Sequence, residues 1–353
     1  MQSCDMEERR VMNEWEKYLD IISQFKGFKY TKIYKVPISL KKWKWVGGVY
    51  WKGQIYSIPN AERTGLCINP IERNYNIIGC TKVGTFKWTG GCVYKEKIYG
   101  FPRKESSILV IDPGTREMME EKLDCAYRGE HHYGGICTDK GIVYQPPRDT
   151  DHILKVDLND LTTEEILITK RGEKHRYTAS IEHPDGSIYM IPEAGRKVLR
   201  VHPITEEIET IGDVLDAYVF GVVVGLDGNI YGYCNEGRGI LKIDVIKKQV
   251  SRVCEEIGEA SSYGSVVGLN GKIYNIPAHG NYIWEFDIEK QSVIQVFCLK
   301  ENGIAKCAGA GIGHDGTICM IPASGEYIYY LSTEESVDLD EAAMNNRFFN
   351  TAY

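Results

Sequence analysis

Histidine and arginine are the residues of this 353-residue sequence best suited to acid–base chemistry. Four histidines could shuttle protons or bind a transition metal: His131, His132, His175 and His279. No pair of them has a strong metal-site spacing, so neither a metal nor another cofactor is expected. In an enzyme, His132 or His175 would act as general base and Arg176 would hold an anionic group. The alternative is that the histidines are hydrogen-bonded loop residues.

Six large aromatic rings form a second candidate set, because each lies beside a run of small residues. They are Trp45, Trp88, Tyr133, Tyr177, Phe220 and Tyr263. Such rings can stack on a sugar, a base or a cation, although most of the six are expected to pack inside the fold. The predicted ligand-binding residues are Trp45, Trp88, His131, His132, Tyr133, Arg176, Tyr177, Tyr263 and His279.

These residues recur because the chain itself repeats. A phrase close to Ile-Tyr-x-x-Pro occurs seven times, about 44 residues apart, starting at Ile55, Ile98, Ile142, Ile188, Ile230, Ile273 and Ile318. A period of about 40–50 residues with strand-like content is typical of a β-propeller. Hairpin dipeptides such as Asp227-Gly228 divide each repeat into four short strands. The sequence therefore predicts an all-β, seven-bladed propeller with four-stranded antiparallel blades.

The segments outside the repeats have predicted roles of their own. The seventh repeat has three clear strands, so residues 30–36 are predicted to supply its outer strand and close the ring. Residues 5–26 show a helical spacing of apolar side chains, which predicts a helix docked on the propeller or, alternatively, a partner-binding helix. The predicted domains are helix 1–27, propeller 28–335 and tail 336–353.

Composition limits the function. A net charge of −7 argues against nucleic-acid binding. The sequence has no run of 18 apolar residues, and residues 1–10 are too polar for a signal peptide, so no membrane association is expected. Eleven cysteines, an odd number without a Cys-x-x-Cys pair, favour reduced thiols and a cytoplasmic location.

Propeller topology brings two sets of loops to one face, which we call the entry face: the loops that enter each first strand and those between second and third strands. The second set carries five arginines that suit a carboxylate or phosphate: Arg63, Arg103, Arg148, Arg196 and Arg238. Acidic residues in the same loops nearly cancel their charge. On the opposite face, called the far face, Lys95, Asp139 and Asp185 are expected to be inert.

The entering loops carry charges of opposite sign in different sectors. The basic residues are Lys41, Lys42, Lys44, Lys82, Lys87, Lys170, Arg171, Lys174 and Arg176. The acidic residues are Asp213, Asp216, Glu255, Glu256 and Glu259. Such a face suits a protein or peptide partner better than a simple anion, and a small polar ligand is the alternative. The leading prediction is a binding or scaffold module, and the alternative is a lyase or hydrolase acting on a sugar or peptide-like substrate.

Residues 30–335 resemble seven-bladed propellers of the kelch, NHL and WD-repeat type in period and strand order. The segment 108–115, Ile-Leu-Val-Ile-Asp-Pro-Gly-Thr, is similar to repeats of the streptogramin lyase family. The Gly-Gly doublet lies in the first strand rather than after the second as in kelch proteins, and the Gly-His and Trp-Asp markers of WD repeats are missing. The resemblance therefore implies the fold but assigns no catalytic residue.

Overall fold

The computed structural model describes residues 2–38, 44–124, 131–193, 195–254, 257–258, 261–299 and 306–349. Its strands form seven blades of four antiparallel strands arranged in a ring, which confirms the predicted fold class. The chain starts with helix α1 (Gln2–Ser23), followed by strand β1 (Lys32–Pro37). No helix in the described ranges is long and apolar enough to cross a membrane.

The first three blades follow β1 in chain order. Blade one consists of β2 (Trp45–Trp51), β3 (Gln54–Pro59), β4 (Gly65–Asn69) and β5 (Asn74–Ile78). Blade two consists of β6 (Trp88–Tyr94), β7 (Lys97–Pro102), β8 (Ser107–Asp112) and β9 (Glu117–Lys122). Blade three consists of β11 (Ile136–Cys137), β12 (Ile142–Gln145), β14 (His152–Asp157) and β15 (Thr163–Leu167). From the same repeat, β10 (His131–His132) and β13 (Pro147–Thr150) extend the sheet of blade four through the pairing of β13 with its first strand.

The remaining blades complete the ring. Blade four consists of β16 (His175–Glu182), β17 (Ile188–Pro192), β18 (Arg196–Val201) and β19 (Ile208–Leu215). Blade five consists of β20 (Val223–Val224), β21 (Ile230–Tyr233), β22 (Ile240–Asp244) and β23 (Gln249–Val253). Blade six consists of β24 (Ser262–Val267), β25 (Ile273–Pro277), β26 (Tyr282–Asp287) and β27 (Ser292–Cys298). Blade seven contains β28 (Cys307–Ile312), β29 (Ile318–Pro322) and β30 (Tyr327–Ser332).

Strand β1 supplies the fourth strand of blade seven, as the sequence predicts. It pairs antiparallel with β30, from Lys32 opposite Ser332 to Pro37 opposite Tyr327. This pairing joins the two ends of the repeat region and leaves β30 without a free edge. Without this pairing, β30 would expose an edge that could pair with another chain and promote aggregation.

The hydrophobic core lies mainly between adjacent blades. Ile58 of blade one and Ile98 of blade two belong to one buried cluster, and similar clusters join blades two and three, three and four, and five and six. The largest cluster includes blade seven and helix α1. Because each blade buries its faces against its neighbours, the first strands are left around a central channel.

Helix α1 docks on the far face, so its partner-binding alternative is not needed to explain its apolar side chains. Val11, Trp15, Tyr18 and Ile22 are buried, whereas Met12 is 41% exposed. The tail contains a short helix, α2 (Glu341–Met344), and returns to α1. There, the Asn346 side-chain amide donates to the Glu14 carbonyl at 2.7 Å. These two terminal segments therefore form a cap on the far face.

Glycines explain a recurrent irregularity at the entry end of the first strands. The pairing of β6 with β7 shifts register between Trp88 and Gly91, and Gly90 at the shift has φ 69°. Gly134 of blade three has φ 71° at the corresponding point, where the first strand is interrupted between β10 and β11. Glycine adopts this left-handed conformation without the steric cost of a side chain. The bulge bends the first strand at its entry end.

Candidate functional site

The six predicted aromatic rings occupy two different strand positions. In the pairing of first and second strands, Trp45, Trp88 and Tyr177 lie opposite the prolines Pro59, Pro102 and Pro192. In blades three and six that position holds His132 and Ser262. Tyr133 and Tyr263 therefore follow it by one residue. Because successive side chains of a strand point to opposite sides, this offset sends the two groups of rings to different places.

The first group is part of the fold. Trp45 and Trp88 are fully buried, and their indole Nε1 atoms donate to the carbonyl oxygens of Thr64 at 2.7 Å and Ser107 at 2.8 Å. The buried Tyr177 hydroxyl donates to the Lys197 carbonyl at 3.2 Å, and burial raises the pKa of this phenol. Each ring thus ties a first strand to the region of the third strand in the same blade. The structure does not bring these three predicted site residues to the channel mouth.

The second group does meet at the mouth. The Tyr133 and Phe220 ring centroids are 6.4 Å apart, and Phe220 meets Tyr263 edge to face at 5.1 Å. Val46 and Ala308, from blades one and seven, form a small buried cluster against which Tyr263 packs. Beneath the rings the channel narrows to a cavity of about 20 Å³ that Tyr133 also lines. The three rings therefore close the entry end of the channel.

Two arginines flank the first of these rings. The guanidinium carbon of Arg103 lies 4.7 Å from the Tyr133 ring centroid, and that of Arg148 lies 5.1 Å from it. Arg148 also pairs with Glu193 at 2.9 Å, while its Nη1 atom is buried without a hydrogen-bond partner among the described residues. We call Arg103, Tyr133, Arg148, Phe220 and Tyr263 the mouth cluster. An arginine beside an aromatic ring contributes about 0.5–2 kcal/mol.

The list of predicted ligand-binding residues omits Arg103, Arg148 and Phe220, although the sequence analysis names them among the candidate arginines and rings. A signal for the arginines was present, since Arg103 follows Pro102 and Arg148 follows Pro147 at the ends of two consecutive second strands. The same position holds Glu193 in blade four. Residues that directly follow the repeated proline thus converge on the mouth, and blades two and three both place an arginine there.

Arg176, a predicted site residue, links the mouth cluster to the rim. Its Nε atom lies 2.6 Å from Asp149, and its Nη1 atom lies 3.5 Å from Glu193, the carboxylate that also holds Arg148. Arg148 and Arg176 therefore share the Glu193 carboxylate, and Arg176 also contacts Asp149.

His279 lies on the other side of the mouth cluster. Its Nε2 atom is 3.3 Å from the Tyr263 hydroxyl oxygen, and the imidazole is exposed. Burial of part of the ring and the Lys306 ammonium both lower the pKa of His279, which keeps it uncharged at neutral pH. Burial raises the pKa of Tyr263 to about 12, although Arg103 and Arg148 partly oppose this. The pair presents neutral polar groups at the edge of the mouth cluster.

The predicted general bases lie away from this cluster. His132 is 1% exposed, and its ring packs 5.3 Å from His152, whose Nδ1 atom is 2.8 Å from Asp151. His175 is also buried, lies 3.2 Å from the Thr169 hydroxyl, and has a pKa lowered first by burial and then by Arg196. Both imidazoles belong to the junction of blades three and four. The side chain of His131 lies outside the described residues.

Several predicted surface charges also have internal roles. Lys44 and Lys87 are buried; the Lys44 ammonium donates to the Gly325 carbonyl at 2.5 Å, and that of Lys87 donates to the Thr81 hydroxyl at 2.6 Å. These two lysines therefore fix loops rather than form a basic surface. The predicted charges at 41, 42, 255, 256 and 259 lie outside the described residues. Among the His, Cys, Asp and Glu side chains that the structure describes, no group of three could hold a metal ion.

The sequence matches no family model and no curated protein. Solved structures share its fold. A streptogramin B lyase has 15% identity and a TM-score of 0.68, with 85% of this chain and 96% of that chain covered. Virginiamycin B lyase from Staphylococcus aureus has 13% identity and a TM-score of 0.68, with 86% and 99% covered. Kuenenia stuttgartiensis hydrazine synthase has 10% identity and a TM-score of 0.62, with 84% and 97% covered.

These similarities concern the fold alone, because the identities are far below those at which a function transfers. They confirm the resemblance to streptogramin lyase-type propellers in architecture. They assign no lyase chemistry to the mouth cluster.

Proposed function

We propose that this protein is a propeller binding module whose mouth cluster holds a peptide segment bearing a carboxylate next to an aromatic or apolar side chain. The observation that carries the proposal is that the guanidiniums of Arg103 and Arg148 both lie against the Tyr133 ring, at 4.7 and 5.1 Å from its centroid. This arrangement holds two cations rigidly beside an aromatic surface. The partner must therefore offer negative charge and apolar area within one short segment.

The arginines supply the charge recognition. Guanidinium groups form paired hydrogen bonds with carboxylates, and their planar donors fit that geometry better than an ammonium does. The Arg148 side chain is 20% exposed, so an incoming carboxylate can reach it from the solvent side. Glu193 holds the opposite side of the same guanidinium in place at 2.9 Å.

Phe220 and Tyr263 supply the apolar surface. Both rings are partly exposed, and they meet edge to face at 5.1 Å. Aromatic rings that are already packed lose little side-chain entropy when they bind a partner. The neighbouring Tyr263 hydroxyl and neutral His279 imidazole, 3.3 Å apart, can hydrogen-bond to a peptide backbone. This combination favours a peptide over an inorganic anion.

The enzymatic alternative has less support. A general base must lie within hydrogen-bond reach of the proton that it removes. His132 and His175 are buried at the junction of blades three and four, against His152 and Thr169 rather than beside the mouth cluster. The geometry therefore favours binding at the entry face over acid–base catalysis by these residues.

A peptide array tests the proposal. Its peptides carry a carboxylate residue directly before or after an aromatic residue, and in the control peptides an amide replaces the carboxylate. The double variant Arg103→Gln, Arg148→Gln should weaken binding of the selected peptide by at least about tenfold, because a hydrogen bond to a charged group contributes about 1.5–3 kcal/mol. Fluorescence anisotropy measures the dissociation constant.

A matched control removes the same charge elsewhere. Arg9 on α1 and Arg116 in the turn between β8 and β9 are exposed. The double variant Arg9→Gln, Arg116→Gln should bind the peptide as the wild type does. The proposal is wrong if no carboxylate peptide binds, if the amide peptides bind equally well, or if the control pair loses as much affinity as the arginines of the mouth cluster.

A further inference from the structure

The far end of the channel contains a much larger space than the entry end. A cavity of about 550 Å³ lies there, between the first strands of blades one to six and the cap formed by α1 and the tail. Small-molecule sites usually have volumes of about 300–1,000 Å³. The cavity is therefore large enough for a small organic molecule, and it lies on the face opposite to the mouth cluster.

Apolar side chains form most of its wall. Ile136, Ile181 and Val222 line it from blades three, four and five, and Trp51 and Phe348 add aromatic surface from blade one and the tail. Removal of apolar ligand surface from water contributes about 25 cal/mol per Å². Such a wall favours binding of an apolar or aromatic molecule over a strongly hydrated one.

Charged groups are confined to the cap and the hairpins. The Arg347 guanidinium contacts three carboxylates: Glu14 at 2.8 Å, Glu182 at 2.6 Å, and Asp139. Arg10 pairs with the other oxygen of Asp139 at 3.2 Å. These three carboxylates thus outnumber the two guanidiniums that hold them.

The remaining charged groups of the lining do not reverse this balance. Lys95 and Glu96, in the hairpin of blade two, offset each other. Burial raises the pKa of Glu182 to about 7, although Arg347 opposes this. The lining is therefore neutral to slightly negative in total, and like charge together with desolvation disfavours an anionic ligand.

We propose that this cavity is a second binding site, for an aromatic small molecule without negative charge. It is independent of the peptide site at the entry face. Its wall comes from first strands of six blades, and its cap comes from the two ends of the chain. The exposed hairpin residues Lys95 and Glu96 border the cavity and mark a side from which a ligand can enter.

Two related fluorescent probes test the charge preference. N-phenyl-1-naphthylamine is aromatic and uncharged, whereas 8-anilinonaphthalene-1-sulfonate has the same ring system with a sulfonate added. The uncharged probe should bind saturably with one site per chain and a blue-shifted emission. The sulfonated probe should bind at least about tenfold more weakly, because its charge must be desolvated beside the carboxylates. The proposal is wrong if the uncharged probe does not saturate or if both probes bind equally.

Cysteine protection locates the probe. Cys92 and Cys137 line the cavity and are partly exposed, whereas Cys80 and Cys298 are exposed and do not line it. Burial raises the pKa of Cys92, so Cys137 is the better reporter. Saturating N-phenyl-1-naphthylamine should slow maleimide labelling of Cys137 by about tenfold, as high occupancy of the site requires, and leave Cys80 and Cys298 unchanged. Binding without protection of Cys137, or equal protection of all these thiols, would place the probe elsewhere and overturn the proposal.

The double variant Arg103→Gln, Arg148→Gln separates this proposal from the peptide site. The variant should bind N-phenyl-1-naphthylamine with unchanged affinity and the same Cys137 protection. Loss of probe binding in this variant would show that the mouth cluster holds the probe and would contradict a separate far-face site.

Discussion

The two ends of the central channel consist of the same repeated first strands, yet they are closed by different means. At the entry end, Tyr133, Phe220 and Tyr263 come from the repeats themselves and meet across the mouth. At the far end the repeats leave a cavity of about 550 Å³, and α1 and the tail cover part of it. The comparison shows that variation within a repeat can shape one face, whereas segments outside the repeats shape the other.

Deletion of residues 1–37 should have the largest effect, because it removes both the far-face cap and the strand that closes the ring. Val11, Trp15, Tyr18 and Ile22 would be lost from the buried cluster, and β30 would become a free edge. Each buried apolar side chain contributes about 1.5–3 kcal/mol, so the total rivals the stability of a typical domain. Size-exclusion chromatography and thermal melting should show aggregation or loss of a cooperative transition.

A control for this deletion is the double substitution Met6→Gln, Met12→Gln, since both side chains are exposed on α1. It should melt as the wild type does. A truncated protein that remains monomeric with an unchanged melting temperature would show that the far end does not depend on the terminal segments.

Substitution Arg347→Met should have the next largest effect. It leaves the carboxylates of Glu14, Glu182 and Asp139 without their shared guanidinium. Breaking a buried ion pair by removing one partner costs about 3–5 kcal/mol. Urea unfolding at neutral pH should report a loss of this size. The exposed Arg116→Gln variant should stay within about 0.5 kcal/mol of the wild type, and an equally small effect of Arg347→Met would contradict the proposed role of the ion cluster in the cap.

Aromatic residues at the two strand positions should differ in their effects on stability and on peptide binding. Trp88→Phe removes the indole that donates to the Ser107 carbonyl at 2.8 Å and leaves that buried acceptor without this donor, at a cost of about 1–3 kcal/mol. Phe220→Leu, at a partly exposed mouth position, should cost less than about 1.5 kcal/mol, as for other hydrophobic exchanges of similar size. Phe220→Leu should weaken peptide binding more than Trp88→Phe does. A larger stability loss for Phe220→Leu than for Trp88→Phe would mean that the two positions have been interpreted the wrong way round.

His279 should give the smallest effect. Its lowered pKa means that the imidazole gains a proton only below its ordinary titration range. A carboxylate peptide at the mouth should then bind more tightly as the pH falls through that pKa, by about 0.2–1 kcal/mol, as for an exposed ion pair. NMR titration of His279 and anisotropy at matched pH values measure the two quantities. The His279→Gln variant should lose this increment, and an unchanged pH profile would place the peptide away from His279.

The far face also shows why an exposed-looking sequence position is not necessarily inert. Asp139 binds Arg347, which lies 208 residues away in the chain. The Asp185 carboxylate accepts from Tyr189 at 3.0 Å and Arg200 at 3.1 Å. Although burial opposes it, hydrogen bonding to His183 lowers the pKa of Asp185 to about 2. Both carboxylates therefore have structural partners, which come from other strands and from the tail. That changes at Asp139 and Asp185 leave binding intact stays a prediction.

The sequence by itself determined the architecture. The seven Ile-Tyr-x-x-Pro phrases, the hairpin dipeptides and the missing outer strand of the last repeat are local signals, and they predicted the blades and the pairing of β1 with β30. Burial of Val11, Trp15, Tyr18 and Ile22 likewise follows from their helical spacing. These signals are the repeat period and the turn-forming residues. Both are recognisable from residues that lie close together in the sequence.

Only the tertiary structure decided which of the repeated residues meet. A one-residue offset sends Tyr133 to the mouth and keeps Trp88 inside the fold, although both precede a glycine-containing segment. The burial of His132 against His152 depends on the junction of two blades. The far-face cavity depends on where the tail returns, because Arg347 and Phe348 line it together with strands more than a hundred residues earlier in the chain. Local sequence patterns do not predict contacts between residues that are far apart in the chain. The two sites could therefore be identified only from the tertiary structure.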